Sequence, residues 1–393
     1  MIIIDIIQFI LIAYLGFSSL YIFFFAFGGI FKIRSRKVVE EKDRKYAVLI
    51  PGYKEDQVIL EVAEDALNQN YPQEMYDVVV IADSFKKETL EALKKFPIKL
   101  IEVSFELSTK SKALNAAMAE IGDEYDVALV LDADNLMEKD FIRKINTAFS
   151  KGFMAVQGHR VAKNTNTRFA ILDAISEEVN NNIFRKGHRV WGLSAALIGS
   201  GMAMDYAYFK NMMKSIKAVG GFDKEIELQI LKERKLIAYL DEAYVLDEKI
   251  QKAEVFQNQR RRWLSAQLHY FSMDFLNSLK HLLLKGNVDY FDKAIQFILP
   301  PRIMLLGLLV MINIISLFLN STEWFYAWLI TLGAVVLTFI FSIPLKFYNI
   351  HTLRAVLTLP KAFFLMFISL LRVKGANKKF IHTEHTSTLN ESK

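Results

Sequence analysis

The chain has 393 residues, of which 52% are hydrophobic, no cysteine and a formal net charge of +6 at pH 7. Without cysteine, disulfides and thiolate metal sites are excluded. The positive charge lies partly beside an apolar segment, so anionic lipid headgroups account for it more simply than nucleic acid does, and no RNA-binding signature is present.

The chain begins with an apolar segment. Residues 3–31 contain one charged residue, Asp5, over a length that can span a bilayer. The basic start, short apolar core and small-residue cleavage site of a secretory signal peptide are absent, so the pattern predicts a retained anchor. A basic flank follows and places that side in the cytoplasm: Lys32, Arg34, Arg36 and Lys37. We therefore expect residues 1–37 to anchor the protein in the cell membrane, with its main domain in the cytoplasm.

Residues 45–290 alternate between strand and helix patterns. Short apolar runs lie at 46–51, 76–82, 98–103 and 126–132, and helical patterns lie at 56–69, 86–95, 110–120 and 138–149. Such alternation predicts one α/β domain with a mostly parallel sheet and helices on both faces.

Polar residues follow three of these strands. They are Pro51-Gly52-Tyr53-Lys54-Glu55, Asp83-Ser84 and Asp132-Ala133-Asp134. If the strands are parallel, all three clusters lie at one sheet edge, where open α/β sheets bind ligands. Two carboxylates one residue apart suit a hard divalent cation, which can carry a diphosphate. A nucleotide can span the three clusters, although the glycine motifs of dinucleotide-binding and P-loop proteins are absent.

An arginine-rich segment, Gln259-Arg260-Arg261-Arg262-Trp263, lies far downstream. Its guanidinium groups suit planar recognition of a phosphate. Apolar residues then recur at helical spacing, which predicts an amphipathic helix near 262–284 at the cytoplasmic interface: Leu264, Leu268, Phe271, Phe275, Leu279 and Leu282.

Two further spans are predicted within 300–347, at about 303–319 and 324–346. The loop between them, 320–323, contains no Lys or Arg, as expected for the outer face. The apolar stretch 353–371 is followed by a basic tail, which a full crossing would place outside. We therefore predict that 350–393 forms an interfacial or re-entrant helix and a tail, whose His382 and His385 are solvated.

Together these segments resemble family 2 glycosyltransferases, the membrane-integrated inverting kind that includes cellulose, chitin, hyaluronan and poly-N-acetylglucosamine synthases. The resemblance covers roughly residues 46–270 and implies a GT-A fold, a nucleotide-sugar donor with UDP as the expected nucleotide, and Mg²⁺ or Mn²⁺. D-x-D alone is a weak motif, but D-x-D together with Q-x-x-R-W at this separation is specific.

The resemblance also implies roles for individual residues. Expected donor contacts are Pro51, Tyr53, Glu55, Asp83, Lys112, Asn115, Asp132, Gln259 and Arg262. Asp134, with Asp132, is the expected metal ligand, and Gln157 lies in a stretch similar to a later donor-site strand. The expected acceptor contacts are Gly199, Ser200, Gly201 and Trp263.

The chain departs from the family at the catalytic base. The family usually carries an acidic pair whose aspartate takes the proton, whereas Phe222-Asp223-Lys224-Glu225-Ile226-Glu227 stands here. Alignment on the following leucine makes Glu225 the expected base, with Glu227 and Asp223 as alternatives. All three acids also suit the first turn of a helix, where they favour the dipole.

The sequence thus predicts an inverting transferase that moves a sugar to a glycan or lipid-linked acceptor, and a homo-oligomer is compatible with this prediction. Two alternatives stay open. One is transfer of a single sugar to a membrane lipid. The other is an inactive subunit that binds nucleotide sugar, for which the glutamate at position 225 is the only sign.

Overall fold

The computed structural model of the protein describes residues 2–216, 218, 220–251, 253–318 and 322–372. Two of the predicted loop residues, Asn320 and Ser321, lie outside the described residues. So do His382, His385 and the basic residues beyond Arg372.

The described residues form one eight-stranded sheet. Its strands are β1 (Tyr46–Tyr53), β2 (Tyr76–Asp83), β3 (Lys99–Val103), β4 (Val127–Val130), β5 (Leu136–Met137), β6 (Ala155–Ala162), β7 (Met202–Asp205) and β8 (Ile237–Asp247). They lie in the order β3-β2-β1-β4-β7-β6-β8-β5. The first four are mutually parallel, β6 and β8 are parallel to each other, and β7 and β5 run antiparallel to their neighbours. The predicted α/β class with a mostly parallel sheet is confirmed.

The helices before the arginine-rich segment are α1 (Ile2–Gly28), α2 (Ile59–Ala66), α3 (Lys87–Leu93), α4 (Lys110–Glu120), α5 (Phe141–Ser150), α6 (Arg168–Asn180), α7 (His188–Val190), α8 (Tyr206–Met213) and α9 (Phe222–Lys232). A π-helical segment, Asn181–Gly187, joins α6 to α7, and a 3₁₀ turn, Gln73–Met75, precedes β2. The remaining helices are α10 (Ala253–Lys285), α11 (Val288–Gln296), α12 (Arg302–Ser316), α13 (Thr322–Ser342), α14 (Ile350–Val356) and α15 (Leu359–Leu371), with a 3₁₀ turn at Leu345–Phe347.

The sheet is buried on both faces. In β1, Ala47 and Leu49 join one core cluster with α4, α8 and α9, whereas Val48 and Ile50 join a second cluster with α2 and α5. Successive strand residues point to opposite faces, so burial on both sides explains why these strands read as continuous apolar runs. The predicted strand at 126–132 is shorter than expected, since β4 ends at Val130 and leaves the two following residues free to turn into the site.

In the described part of the chain, two helices are long and apolar enough to cross a membrane, namely residues Asp5–Gly28 of α1 and α13. The pair α14 and α15, bent by 45° at Leu357-Thr358, makes a third if it is a single span. The segment predicted to span at 303–319 forms α12, an apolar helix of 15 residues. That is shorter than the roughly 17–25 residues of a typical crossing.

The helix predicted near 262–284 is longer than expected, because α10 begins at Ala253 and contains the whole arginine-rich segment. Several apolar side chains of α10 are exposed along its length: Leu268, Met273, Leu276, Leu283 and Leu284. Only Leu268 belongs to the apolar face predicted from the sequence, whereas Leu264 of that face is buried against the protein.

The first helix packs on the domain through polar as well as apolar contacts. The Tyr21 hydroxyl donates to Asp292 of α11 at 2.7 Å and lies 3.1 Å from His188 Nε2. The Phe25 ring stacks on the same imidazole, with 3.6 Å between ring centroids. Because His188 is fully buried, this network fixes α1 against α7 and α11.

Candidate active site

The first two polar clusters meet at the carboxyl ends of β1 and β2. Tyr53 and Asp83 are paired across the two parallel strands, and the Lys54 amide donates to the Asp83 carbonyl at 3.1 Å. The buried Asp83 carboxylate also accepts a hydrogen bond from the Ser84 hydroxyl at 2.9 Å. Glu55 is buried just beyond this point. The predicted adjacency of these two clusters is therefore present in the fold.

A gap opens between β1 and β4. Pairing of these strands ends at Leu49 and Val130, while β1 continues to Tyr53 alongside β2 alone. Pro51 lies in this unpaired stretch, where its missing amide hydrogen removes no hydrogen bond to β4. Strand order also changes direction here, and such a switch point is where open α/β sheets bind ligands.

The D-x-D residues form a tight turn after β4. The Asp132 amide donates to Ser200 Oγ at 2.9 Å, and that hydroxyl donates in turn to Asn135 Oδ1. Asp134 is buried, and its Oδ2 accepts a hydrogen bond from the Glu248 amide at 3.2 Å. The turn is thus held from two sides, by the Gly199–Gly201 loop and by the chain that follows β8.

Lys110 is a site residue that the sequence prediction missed. Its Nζ forms an ion pair with Asp132 and donates to the Gly199 carbonyl at 2.6 Å. Thr109 caps α4 by accepting from the Lys112 amide at 3.2 Å, which makes Lys110 the first helical residue. The expected donor contact, Lys112, instead extends to the Leu107 carbonyl at 2.8 Å and is exposed.

The position of Lys112 therefore does not support its predicted role. Two lysines two residues apart face different sides of a helix. The sequence analysis chose Lys112, whereas Lys110 is the one that contacts the D-x-D turn. Asn115 lies further along α4, and its Nδ2 donates to the Met213 carbonyl at 2.9 Å. This contact ties α4 to α8 rather than to the D-x-D turn.

Gln157 holds the predicted acceptor loop. Its Nε2 donates to the Ser200 carbonyl at 2.9 Å, and its Oε1 accepts from the Ile198 amide at 3.0 Å. Gly201 has φ +59°, and a β-carbon there would come within 2.9 Å of the Val245 side chain. Because β7 starts at the next residue and runs antiparallel to β4, the loop is brought beside Asp132.

The first turn of α9 adjoins the same loop. A β-carbon on Gly199 would lie 3.6 Å from Asp223 Cβ, and Lys110 Nζ lies 5.1 Å from the centre of the Phe222 ring. Glu225 is partly buried. Burial raises the pKa of Tyr270 in α10, and the negative charges of Glu225 and Asp223 raise it further. Both acids are thus close to the region between the loop and α10.

Glu227 has different surroundings. It is 2% exposed, and its Oε1 lies 2.7 Å from Lys293 Nζ of α11. Burial lowers the pKa of Lys293, and the Glu227 charge opposes that change. A carboxylate held in a buried ion pair joins α9 to α11 and is poorly placed to take a proton from a substrate, which weighs against Glu227 as the base.

The arginine-rich segment lies on the first turns of α10. Gly221, directly before α9, would place a β-carbon 3.3 Å from both Ala266 and Tyr270, so α10 passes close to the start of α9. Trp263 is 42% exposed, with the Arg260 guanidinium 4.2 Å from its ring centre. Gln259 Oε1 and the Nε atoms of Arg260 and Arg261 are buried without a hydrogen-bond partner among the described residues.

A short chain of contacts connects Asp134 to this segment. The Glu248 amide donates to Asp134, and two residues later the Ile250 amide donates to Asp173 at 3.5 Å. Asp173 in turn forms an ion pair with Arg260. The D-x-D turn and the start of α10 are therefore neighbours on one side of the molecule. Burial lowers the pKa of Arg262 from its usual value, which marks a guanidinium whose charge is poorly solvated.

A buried group of charged side chains supports the D-x-D turn through Asn135, the residue that follows Asp134. Asn135 Nδ2 donates to Asp247 at 3.1 Å, and Asp247 pairs with Lys249 at 2.7 Å and with Arg160 at 3.3 Å. Burial alone would raise the pKa of Asp247, but these two cations lower it, so the carboxylate stays charged. Glu177 joins Arg160 at 2.9 Å. Every member of the group is thus neutralised by a neighbour.

The donor atoms suit a divalent cation only in part. Within the described ranges, no three acidic or imidazole side chains lie close enough to hold a metal ion by themselves. Asp132 and Asp134 supply hard oxygen ligands, which fits a cation that completes its coordination with phosphate oxygens and water.

Three comparisons place the chain among known proteins. The model of the family "Glycosyltransferase like family 2" matches residues 43–266, more than half of the chain. The probable glycosyltransferase YdaM of Bacillus subtilis is 23% identical over 315 residues, which cover 75% of this chain and 74% of YdaM. The poly(ribitol-phosphate) β-N-acetylglucosaminyltransferase TarS of Staphylococcus aureus is 27% identical over 103 residues, 25% of this chain and 18% of TarS.

Among solved structures, the mannosyltransferase PcManGT of Pyrobaculum calidifontis, in complex with GDP-Man and Mn²⁺, superposes with a TM-score of 0.51 at 15% identity. The match covers 86% of this chain and 97% of that protein. The likeness supports the predicted GT-A-like fold. On the extent of the family match, this chain belongs to the glycosyltransferase family 2 proteins and is a glycosyltransferase.

Proposed function

We propose that this protein is a membrane-anchored inverting glycosyltransferase that moves a sugar from a nucleoside diphosphate, most simply UDP, to a glycan or lipid-linked acceptor. The observation that carries the proposal is the contact of Lys110 with both Asp132 and the Gly199 carbonyl. At the end of β4, this contact joins the D-x-D turn to the predicted acceptor loop. The first turn of α9 adjoins that loop and so lies at the same place.

Binding of the donor's nucleoside is assigned to the carboxyl ends of β1 and β2. There Tyr53, Glu55 and Asp83 provide a ring and two carboxylates for a base and a ribose. Asp132 and Asp134 would hold Mg²⁺ or Mn²⁺, which, when bound, neutralises the charge that grows on the departing diphosphate. The manganese bound by PcManGT is consistent with use of a divalent cation. Lys110 and Arg262 add positive charge from the protein itself.

Transfer is a single displacement at the anomeric carbon. The bond from that carbon to the diphosphate oxygen breaks while the acceptor hydroxyl oxygen bonds to the opposite face, and the hydroxyl proton passes to a carboxylate. Glu225 is assigned this role by alignment, and Asp223 is the alternative because its β-carbon adjoins Gly199. Proton transfer to a positioned base contributes about 10²–10⁴-fold in rate. Trp263 offers an exposed ring on which an acceptor sugar can stack.

A donor screen on the full-length purified protein tests this proposal. Release of nucleoside diphosphate is measured across several UDP- and GDP-sugars, with and without Mn²⁺. We expect release from at least one UDP-sugar, dependent on the metal. If a folded protein binds UDP but releases no diphosphate from any donor, it is a non-catalytic nucleotide-sugar-binding subunit and the proposal is wrong.

A second candidate function is transfer of one sugar to a membrane lipid. It is favoured by the small number of candidate spans, two or at most three within the described part of the chain, which is few for a secretion channel. Product length separates the two. Membranes incubated with labelled donor give a ladder of products if the protein extends a polymer, and a single-sugar lipid alone if it does not.

A further inference from the structure

Two arginines from different parts of the chain share one aromatic ring. The Arg36 guanidinium carbon lies 4.4 Å from the centre of the Phe153 ring, and that of Arg189 lies 5.9 Å from the same centre. Arg36 belongs to the basic flank after α1, and Arg189 to the short helix α7. The chain thus brings together two positive groups that are far apart in the sequence.

No carboxylate neutralises this pair. Among the residues that the structure describes, neither guanidinium forms an ion pair, whereas Arg160 and Arg185 each bind Glu177. Arg189 is only 9% exposed, and its guanidinium donates a hydrogen bond to the Leu193 carbonyl at 2.6 Å.

The electrostatics of Arg189 also indicate missing negative charge. Burial, and then the positive charge of Arg36, lower its pKa to about 10. Asp289 opposes this change weakly, and its own carboxylate already accepts hydrogen bonds from the Ser194 amide at 2.9 and 3.1 Å. Two like charges held together without a counter-ion favour an external anion.

The arginine pair lies beside the end of α1. Trp191, two residues after Arg189, stacks on Phe24 with 4.6 Å between centroids and donates to its carbonyl at 3.3 Å. A β-carbon on Gly28 would come within 2.3 Å of the Trp191 ring, so the indole fits directly against the last turn of the candidate span. Trp191 and Phe31 are both largely exposed, as aromatic residues at a headgroup layer are.

We propose that Arg36 and Arg189 bind the phosphate of an anionic glycerophospholipid headgroup at the cytoplasmic end of α1. The inference rests on the membrane anchoring in the proposed function but not on the sugar-transfer chemistry. A lipid fits better than free phosphate because exposed aromatic side chains lie next to the arginines and can contact its acyl chains. Guanidinium groups also match phosphate oxygens through planar pairs of hydrogen bonds.

The test uses the full chain purified in a neutral detergent. Thermal unfolding is followed during titration with phosphatidylglycerol, phosphatidylcholine or inorganic phosphate, and native mass spectrometry counts retained lipids. We expect phosphatidylglycerol alone to raise the midpoint and to stay bound. For Arg36→Gln, the apparent affinity for this lipid should fall about fivefold, the usual contribution of one basic residue beside an anionic membrane.

Arg36→Glu guards against misfolding, because the residue is exposed and the new carboxylate can pair with Arg189. This variant should keep or raise the midpoint without lipid and should lose the response to phosphatidylglycerol. The matched control, Lys95→Gln, removes an exposed charge between α3 and the edge strand β3 and should respond like the unaltered protein.

The inference is overturned if Arg36→Glu responds fully to phosphatidylglycerol. It is also overturned if inorganic phosphate alone reproduces the shift, since the site would then bind free anions. Donor hydrolysis is measured on the same samples. Loss of lipid response with retained hydrolysis, or the reverse, separates failure of this site from failure of the proposed function.

Discussion

Replacing Lys110 by Met tests the geometry of the candidate site most directly. The methionine keeps an apolar stem against Phe222 while removing the charge that binds Asp132 and the Gly199 carbonyl. Lys112→Met is the matched control, since this lysine stands on the same helix but reaches the Leu107 carbonyl and the Phe105 ring instead of the D-x-D turn.

The expected size follows from the exposure of the pair. A hydrogen bond to a charged group contributes about 1.5–3 kcal/mol. The Lys110 and Asp132 side chains are 20% and 34% exposed, so solvent screening favours the lower end of that range, about 1.5–2 kcal/mol. If Lys110 moves to the diphosphate when the donor binds, kcat/KM for the donor falls about 10–30-fold in Lys110→Met. For Lys112→Met we expect less than about a twofold change, as for a surface substitution.

The assay is nucleoside diphosphate release at varied donor and varied Mn²⁺ concentration. Because Lys110 occupies an oxygen of Asp132 in the donor-free protein, its removal should leave the Mn²⁺ concentration at half-saturation unchanged or lower. The reasoning is refuted if Lys112→Met loses more activity than Lys110→Met. It is equally refuted if Lys110→Met raises the Mn²⁺ concentration at half-saturation while leaving kcat/KM for the donor unaltered.

Three further predictions concern the rest of the site and the charges around it. Asp134→Asn should lower metal-dependent diphosphate release about 10²-fold or more, because a neutral amide no longer balances the cation, and undiminished release would contradict its role as ligand. Lys293→Met leaves the buried Glu227 charge with Lys224 alone, 3.9 Å away, and should cost about 3 kcal/mol of stability, measured by thermal unfolding, whereas a double variant with Glu227→Leu should recover most of it. Burial alone would raise the pKa of Glu177, but its cationic neighbours hold that pKa well below its usual range. The contribution of Glu177 to the free energy of unfolding is therefore complete above about pH 4.3 and is lost as the pH falls below that value. Glu177→Gln should therefore flatten the acid side of a curve of stability against pH. An unchanged curve would show that Glu177 does not cause the loss of stability in acid.

Local patterns predicted the sheet and the meeting of its polar ends. Apolar runs in β1, β2 and β4 are long enough to identify buried strands, and parallel pairing then fixes where Tyr53, Asp83 and Asp132 lie. The candidate membrane spans were less predictable, since the apolar segment near 303–319 forms a helix of only 15 residues. Its end is set by packing and turn geometry, which hydropathy does not encode.

The details of the site depended on contacts that no local pattern contains. Thr109 and Lys110 show this, because the cap that starts α4 decides which lysine faces the D-x-D turn. Glu227 is a second case, since its partner Lys293 lies on α11 and only the folded chain brings them together. Acids near the start of a helix cannot be told apart from the sequence, and only their burial in the folded chain distinguishes them.

The seating of α1 on the domain has a practical consequence. A β-carbon on Gly187 would lie 2.0 Å from the Phe25 carbonyl, so the two backbones touch without a side chain between them. The imidazole of His188 and the indole of Trp191 complete that surface. Removing residues 1–30 to obtain a water-soluble enzyme would therefore expose to water a surface of the catalytic domain that is shaped to bind α1. Biochemical work on this protein is better begun with its first helix intact.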